Sequence, residues 1–237
     1  IGMSALCALP VSAGKSEVAV VPPTSLEGGI DGGTWVTSGN VKGENDSIVF
    51  DGDASSSAKV TSMTKINDYT EYGIDTIFTA EFTVNIASIS QETNNRLAFA
   101  FGLSRVSAAL GSDGVAEVYF IQDTAGLKMG VSRYFQDTAD QSIKQVKIVE
   151  AQSVDGLTAE LNFTVNVELS AAGVLTVTGQ AEGSDSVVTV CDADTVGNSG
   201  YSMEGFVCFG QVGQSNASIS DVSVTSYDYV NMETPLE

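Results

Sequence analysis

Alternation of apolar and polar residues runs through most of this chain, and it restricts the fold more than any other feature. In residues 161–169 (LNFTVNVEL), five apolar side chains alternate with Asn, Thr and Glu. Successive side chains of an extended strand point to opposite faces, so the pattern predicts strands with one buried and one solvated face. Residues 76–86 (TIFTAEFTVNI) and 96–102 (RLAFAFG) repeat it.

Shorter segments with the same period extend the pattern along the chain. They are residues 47–50, 58–63, 116–122, 127–135, 145–150, 173–180, 186–191, 205–210 and 221–227. Turn-forming pairs such as Asp113-Gly114 and Asp155-Gly156 separate them. Because about a dozen strands occur at this spacing without a useful helical period, the sequence predicts an all-β, two-sheet antiparallel β-sandwich.

Composition limits the possible partners. The 237 residues include 30 acidic and 10 basic side chains and no histidine, with a formal charge of −20. A surface this acidic repels nucleic acids and anionic membranes, so we exclude both as primary partners. No later segment approaches the roughly 20 consecutive apolar residues that a membrane span requires.

The chain divides into four predicted regions. Residues 1–13 are apolar and end in small residues, as a remnant of a secretion signal does, which predicts a secreted or cell-surface protein. The alternative is an N-terminal strand that pairs with a neighbouring subunit and mediates self-assembly. We expect an N-terminal arm at 14–33, the sandwich domain at 34–229 and a polar tail at 230–237.

Cys191 and Cys208 form an even pair in what would be an oxidising compartment. They are the candidate disulfide of the sandwich domain. Two buried free thiols are the alternative, since cysteine also packs as a small hydrophobic residue.

The order of the strands resembles the concanavalin A-like lectin and glucanase superfamily of jelly rolls, which includes laminin-G-like bacterial modules. The resemblance covers residues 34–229 and rests on pattern and order. It is carried by FTAEFTVNIASIS, RLAFAFGLS, AEVYFIQDTAGLKMGVSRYF, LTAELNFTVNVELSAAGVLTVTGQAEG and the closing EGFVCFGQVGQSNASISDVSVTSYDY. It implies a jelly roll, a fold that hosts lectins, hydrolases, lyases and adhesion modules.

The acidic residues within strands do not match the catalytic pattern of the glucanases in this superfamily, Glu-x-Asp-x-x-Glu on one strand. Glu81, Glu117 and Glu168 are each isolated among uncharged neighbours. Retaining hydrolysis needs two carboxyl groups about 5 Å apart, and a cross-strand pair of Glu81 and Glu117 is the best available arrangement. Since histidine is absent as well, we predict a protein that is not an enzyme.

A change of alternation at Ser220-Asp221 marks one candidate metal site. Apolar residues occupy odd positions up to Ile219 and even positions from Val222 onward, which predicts a β-bulge. The resemblance implies a structural Ca²⁺ where the N-terminal arm meets the last strand, with Asp221 as a ligand. The alternative is that Asp221 only caps a turn.

The candidate sugar site lies opposite the core residues of neighbouring strands. Val118, Phe120, Met129 and Val131 occupy the positions expected to face the core. Alternation then places the candidate ligand-binding residues on the other face: Arg96, Glu117, Tyr119, Ser132 and Tyr134. We expect both tyrosines to be partly exposed there, beside small residues that leave a shallow groove.

Together these observations predict a secreted, noncatalytic carbohydrate-binding or adhesion module whose partner is a glycan or a surface protein. A structural or assembly subunit of a surface filament, layer or particle is the alternative. A polysaccharide-acting hydrolase or lyase is the third possibility, which a close pair of carboxylates in a deep groove would favour.

Overall fold

The computed structural model describes residues 17–20, 24–26, 30, 34–52, 57–194 and 204–230. The predicted signal at 1–13 and residues 231–237 of the predicted tail lie outside this set. Within it, the only helical element is a single 3₁₀ turn, Thr70–Tyr72. No helix in these residues is long and apolar enough to cross a membrane.

The described part of the chain contains seventeen strands. They are β1 (Glu17–Val20), β2 (Thr24–Ser25), β3 (Trp35–Ser38), β4 (Lys42–Glu44), β5 (Ser47–Asp51), β6 (Ala58–Ser62), β7 (Thr76–Ile89), β8 (Arg96–Leu103), β9 (Ala116–Asp123), β10 (Gly126–Gln136), β11 (Ile143–Gln152), β12 (Asn162–Ser170), β13 (Val174–Ala181), β14 (Val187–Asp194), β15 (Phe206–Val212), β16 (Ser215–Thr225) and β17 (Tyr227–Val230).

The strands form two antiparallel sheets, which confirms the predicted fold class. One sheet has seven strands in the order β11-β10-β9-β8-β15-β6-β3. The other has the order β14-β13-β12-β7-β16-β5-β4, with β2 also paired to β16. Strands β1 and β17 pair separately. The predicted strands all lie within or overlap the observed ones.

Aromatic side chains fill the space between the two sheets. The ring of Phe82 on β7 lies 5.2 Å from Phe99 on β8 and 5.1 Å from Phe209 on β15, measured between ring centroids. Phe78 contacts Phe101 at 5.1 Å, and Trp35 packs on Phe209 at 6.1 Å. Burying these large apolar side chains supplies most of the driving force for packing the sheets.

A second, smaller apolar cluster lies on the outer face of the seven-stranded sheet. It joins Ala100 and Cys208 on the strands to Ala108, Leu110 and neighbouring residues of the loop 104–115. A Cβ atom at Gly210 would lie 3.1 Å from Leu110 Cδ1, so the absence of a side chain there makes room for the loop. The shallow groove expected over these small strand residues is therefore partly filled by the loop.

The predicted disulfide is wrong, and the alternative of two buried free thiols is confirmed. Cys191 lies on β14 of one sheet and packs in the main core. Cys208 lies on β15 of the other sheet and belongs to the outer cluster, because Val207 and Phe209 on either side of it face the core. A sheet therefore separates the two sulfur atoms.

The predicted bulge at Ser220-Asp221 is confirmed. The pairing of β16 with β7 shifts register between Ser220 and Ser223, and Asp221 has a left-handed backbone with φ of 52°. This extra residue moves the buried set from Ala217 and Ile219 to Val222 and Val224.

Candidate ligand-binding site

Strand pairing brings the five predicted ligand-binding residues onto one region of the outer face of the seven-stranded sheet. Glu117 on β9 pairs with Ser132 on β10, Tyr119 is next to Ala98 of β8, and Tyr134 pairs with Gln145 of β11. The residues expected to face the core from the same two strands, Val118, Phe120, Met129 and Val131, all lie in the main core. The predicted assignment of faces is therefore confirmed for these two strands.

Glu117 is the centre of a hydrogen-bond network. Arg96 donates to both of its carboxylate oxygens, from Nε at 2.6 Å and from Nη2 at 3.1 Å. The backbone N–H of Gly111 donates at 2.7 Å and the Tyr134 hydroxyl at 3.2 Å. Each carboxylate oxygen therefore accepts two hydrogen bonds. The carboxylate fixes the orientation of the Arg96 guanidinium and of the Tyr134 hydroxyl.

Burial of the tyrosines corrects the sequence prediction. Tyr119 is 4 % exposed and Tyr134 8 %, while Glu117 and Ser132 have no exposed surface. Two elements that alternation cannot predict cover these side chains. The 104–115 loop contacts Tyr134 near Gly111. Gln145 of strand β11 donates to both Ser132 Oγ and Tyr134 Oη at 3.0 Å. The tyrosines border a groove and do not stand above it.

The hydroxyl protons of both tyrosines are held firmly. Burial, followed by the negative charge of Glu117, raises the pKa of Tyr134 above its ordinary value. Burial also raises the pKa of Tyr119, and the nearby Ser132 side chain and Ala151 backbone offset only part of that rise. Both phenols therefore remain neutral at physiological pH and act as hydrogen-bonding groups without adding charge.

A groove of about 680 Å³ opens beside these side chains. Arg96, Tyr119 and Tyr134 line it from the sheet, and we name it the tyrosine groove. The turn 90–95 between β7 and β8 forms one wall, and Gln145 and Lys147 of β11 lie on the other side. The sequence prediction missed these walls. The Asn94-Asn95 pair in a turn was the available signal, since amides at a loop tip are suited to hydroxyl ligands.

The proposed catalytic pair of Glu81 and Glu117 is not formed. Glu81 lies on β7 with an exposed side chain on the outer face of the eight-stranded sheet. Glu117 lies on the outer face of the opposite sheet, so the whole core separates the two carboxyl groups. Glu168 shares the face of Glu81, across the sandwich from the tyrosine groove.

Asp221 is exposed at the bulge, and its carboxylate accepts a hydrogen bond from Ser220 Oγ at 3.0 Å. In the residues that the structure describes, no group of three or more Cys, Asp and Glu side chains is placed to hold a metal ion. Ca²⁺ takes about six to eight oxygen ligands, so one carboxylate at the bulge does not complete a calcium site.

Comparison with known proteins gives structural relatives only. No family model and no curated protein sequence matches the chain. Peanut lectin superposes with a TM-score of 0.55 at 13% identity, over 92% of this chain and 100% of that one. Winged bean acidic lectin, complexed with methyl-α-D-galactose, gives 0.56 at 14%, over 90% and 100%.

A domain of a third protein gives the same result. The exoplasmic/lumenal domain of VIP36 in its Ca²⁺- and mannose-bound form has a TM-score of 0.54 at 10% identity, over 86% of both chains. The narrower likeness to laminin-G-like modules stays a prediction. The superpositions span nearly the whole length of these lectins, and the fold of this chain is the concanavalin A-like jelly roll.

Proposed function

We propose that this protein is a noncatalytic carbohydrate-binding module and that the tyrosine groove binds the sugar. The observation that carries the proposal is the structural likeness of 86–92% of the chain to two lectins, one of them in complex with methyl-α-D-galactose, and to the VIP36 domain in a mannose-bound form. The groove adds chemical support, because it combines aromatic edges, side-chain amides and an ordered guanidinium in one place.

Arg96 has the strongest case for contacting a sugar. Its side chain is 11% exposed, and Glu117 and the carbonyl of Asn94 already fix its orientation. A guanidinium with five N–H donors can serve those partners and still donate to a hydroxyl. Glu117 and Ser132 are then positioning residues, because neither has surface to offer a ligand.

The walls of the groove supply the complementary groups. Asn94, Asn95 and Gln145 carry amides that both donate and accept, as sugar hydroxyls require. The edges of Tyr119 and Tyr134 supply apolar surface between them. A neutral sugar is the expected ligand, since a chain with a formal charge of −20 repels acidic sugars at long range.

The proposal extends to where the protein works. A glycan partner outside the cell or on its surface is consistent with the apolar, small-residue end of segment 1–13. The VIP36 domain that shares the fold is itself exoplasmic or lumenal. A requirement for calcium is left to the binding assay, since the described residues contain no group of three or more thiols and carboxylates placed to hold a metal ion.

A glycan array on the purified protein, run in millimolar calcium and again in chelator, tests the function. The best neutral glycan is then titrated by calorimetry against Gln145→Ala, which we expect to weaken binding by about tenfold or more. Asn166→Ala removes an exposed amide from the outer face of the other sheet and is the matched control. Equal loss in both variants, or no glycan bound in either buffer, contradicts the proposal.

A further inference from the structure

A second groove lies on the same outer face, on the far side of the 104–115 loop from the tyrosine groove. It measures about 350 Å³ and is lined by Val36 and Ser38 of β3, Lys59 and Thr61 of β6, and Val106 and Ser107 of the loop. We name it the Lys59 groove. Its residues pair directly across two strands, with Val36 beside Thr61 and Ser38 beside Lys59.

Lys59 differs from the other lysines that the structure describes. Five of these, Lys42, Lys65, Lys128, Lys144 and Lys147, each form an ion pair with an aspartate or glutamate. Lys59 forms none within the described residues, although the protein carries 30 acidic side chains. Its ammonium donates instead to the carbonyl of Val106, at 2.7 Å, and to that of Ala108.

Those two carbonyls leave one of the three N–H donors of the ammonium without a partner in the described chain. Burial lowers the pKa of Lys59, and Cys208 on the neighbouring strand offsets part of this shift. Partial burial therefore costs the ammonium some of its hydration. An anion in the groove would compensate for this loss.

Thr61 provides the second, independent observation. Its side chain is 1% exposed, and its hydroxyl has no hydrogen-bond partner in the described residues. Buried polar groups are nearly always paired, and an unpaired one in a native structure points to a ligand, a water or a function. Here the unpaired hydroxyl and the partly desolvated ammonium belong to residues two positions apart on the same face of β6, and both residues line one groove.

We propose that the Lys59 groove binds a small organic carboxylate. Lys59 donates to one carboxylate oxygen, and Thr61 turns about its Cα–Cβ bond to bring its hydroxyl, which is buried in the free protein, to the other. Ser38 and Ser107 add hydroxyls at the rim, and Val36 and Val106 contact an apolar body of a few carbons. This site is separate from the tyrosine groove and does not depend on sugar binding there.

Sodium butyrate is the probe, with n-butanol at the same concentration and matched ionic strength as the uncharged control. In lysine-selective NMR, butyrate should shift the Lys59 side-chain signal saturably and raise its pKa, because a bound anion stabilises the charged form. Binding should weaken as pH rises through the lowered pKa of Lys59. Absence of a saturable shift, or an equal shift with n-butanol, overturns the proposal.

The Thr61→Val variant separates a ligand-binding role from a structural one. Valine is isosteric and removes only the hydroxyl, so the free protein should melt at a higher temperature while the butyrate response falls by about tenfold. Thr83→Val is the matched control, because the Thr83 hydroxyl is bonded to Thr164 Oγ1 at 3.2 Å and its loss should lower the melting temperature. A lower melting temperature for Thr61→Val would show that the hydroxyl is structural and would overturn the proposal.

Glycan binding by Thr61→Val should equal that of the wild type, since the tyrosine groove is unchanged. A failed glycan array would therefore leave the butyrate result standing, and a failed butyrate titration would leave the sugar site standing.

Discussion

Replacing Glu117 with alanine should destabilise the protein more than replacing any exposed acid. The substitution leaves the Arg96 guanidinium, 11% exposed, without its carboxylate, and it removes the acceptor of Gly111 N–H and Tyr134 Oη. Breaking a buried ion pair from one side costs about 3–5 kcal/mol, and the two additional lost hydrogen bonds place Glu117→Ala at the upper end of this range.

Urea unfolding followed by circular dichroism measures this loss, with the free energy extrapolated at a fixed slope. For a chain of this size the melting temperature should fall by about 10–20 °C. Glu168→Ala, an exposed acid on the other sheet, is the matched control and should stay within about 0.5 kcal/mol of the wild type.

A double substitution, Arg96→Met with Glu117→Leu, separates the cost of leaving Arg96 unpaired from the cost of losing the ion pair itself. Buried pairs replaced by apolar side chains of similar volume are often close to neutral, so the double variant should be more stable than Glu117→Ala. It should nevertheless lose glycan binding. A loss below about 1 kcal/mol for Glu117→Ala would show that water reaches this carboxylate and would refute the reasoning.

Three further results are expected. In a Cys7→Ser background, Cys191 and Cys208 should react with Ellman's reagent only after denaturation, because burial raises their pKa to about 11 and about 12, respectively. Rapid reaction of the native protein would contradict this. Asp221→Gly should be more stable than Asp221→Ala by about 1 kcal/mol in urea unfolding, since the left-handed backbone at φ 52° suits glycine; equal stabilities would argue against the bulge geometry. Gly130→Ala should cost about 1–3 kcal/mol and weaken glycan binding, because the new Cβ would lie 2.6 Å from Tyr119 Oη and 2.9 Å from the carbonyl of Val149; a neutral substitution would show that the ring moves aside freely.

The sequence alone predicted the strands and the direction of their side chains. Period-two alternation is a local property, so the faces of Val118 and Met129 could be assigned without a structure. The bulge at Asp221 was visible for the same reason, as a one-residue change of that period.

What lies on top of a face could not be predicted from alternation. Tyr119 and Tyr134 were placed on the correct side, yet β11 and the 104–115 loop cover them. The loop has no repeating pattern that shows where it packs. The disulfide prediction failed although alternation within one strand could have excluded it. Val207 and Phe209 both face the core, so Cys208 between them faces away from Cys191.

The division of apolar residues into two clusters has a consequence for how this protein can vary. The main core and the cluster beneath the 104–115 loop share no residue. The loop nevertheless borders both grooves, with Gly111 beside the tyrosines and Val106 beside Lys59. Changes in loop length or composition can therefore reshape both grooves together while the sandwich keeps its packing. The scaffold and its recognition surface are free to diverge at different rates.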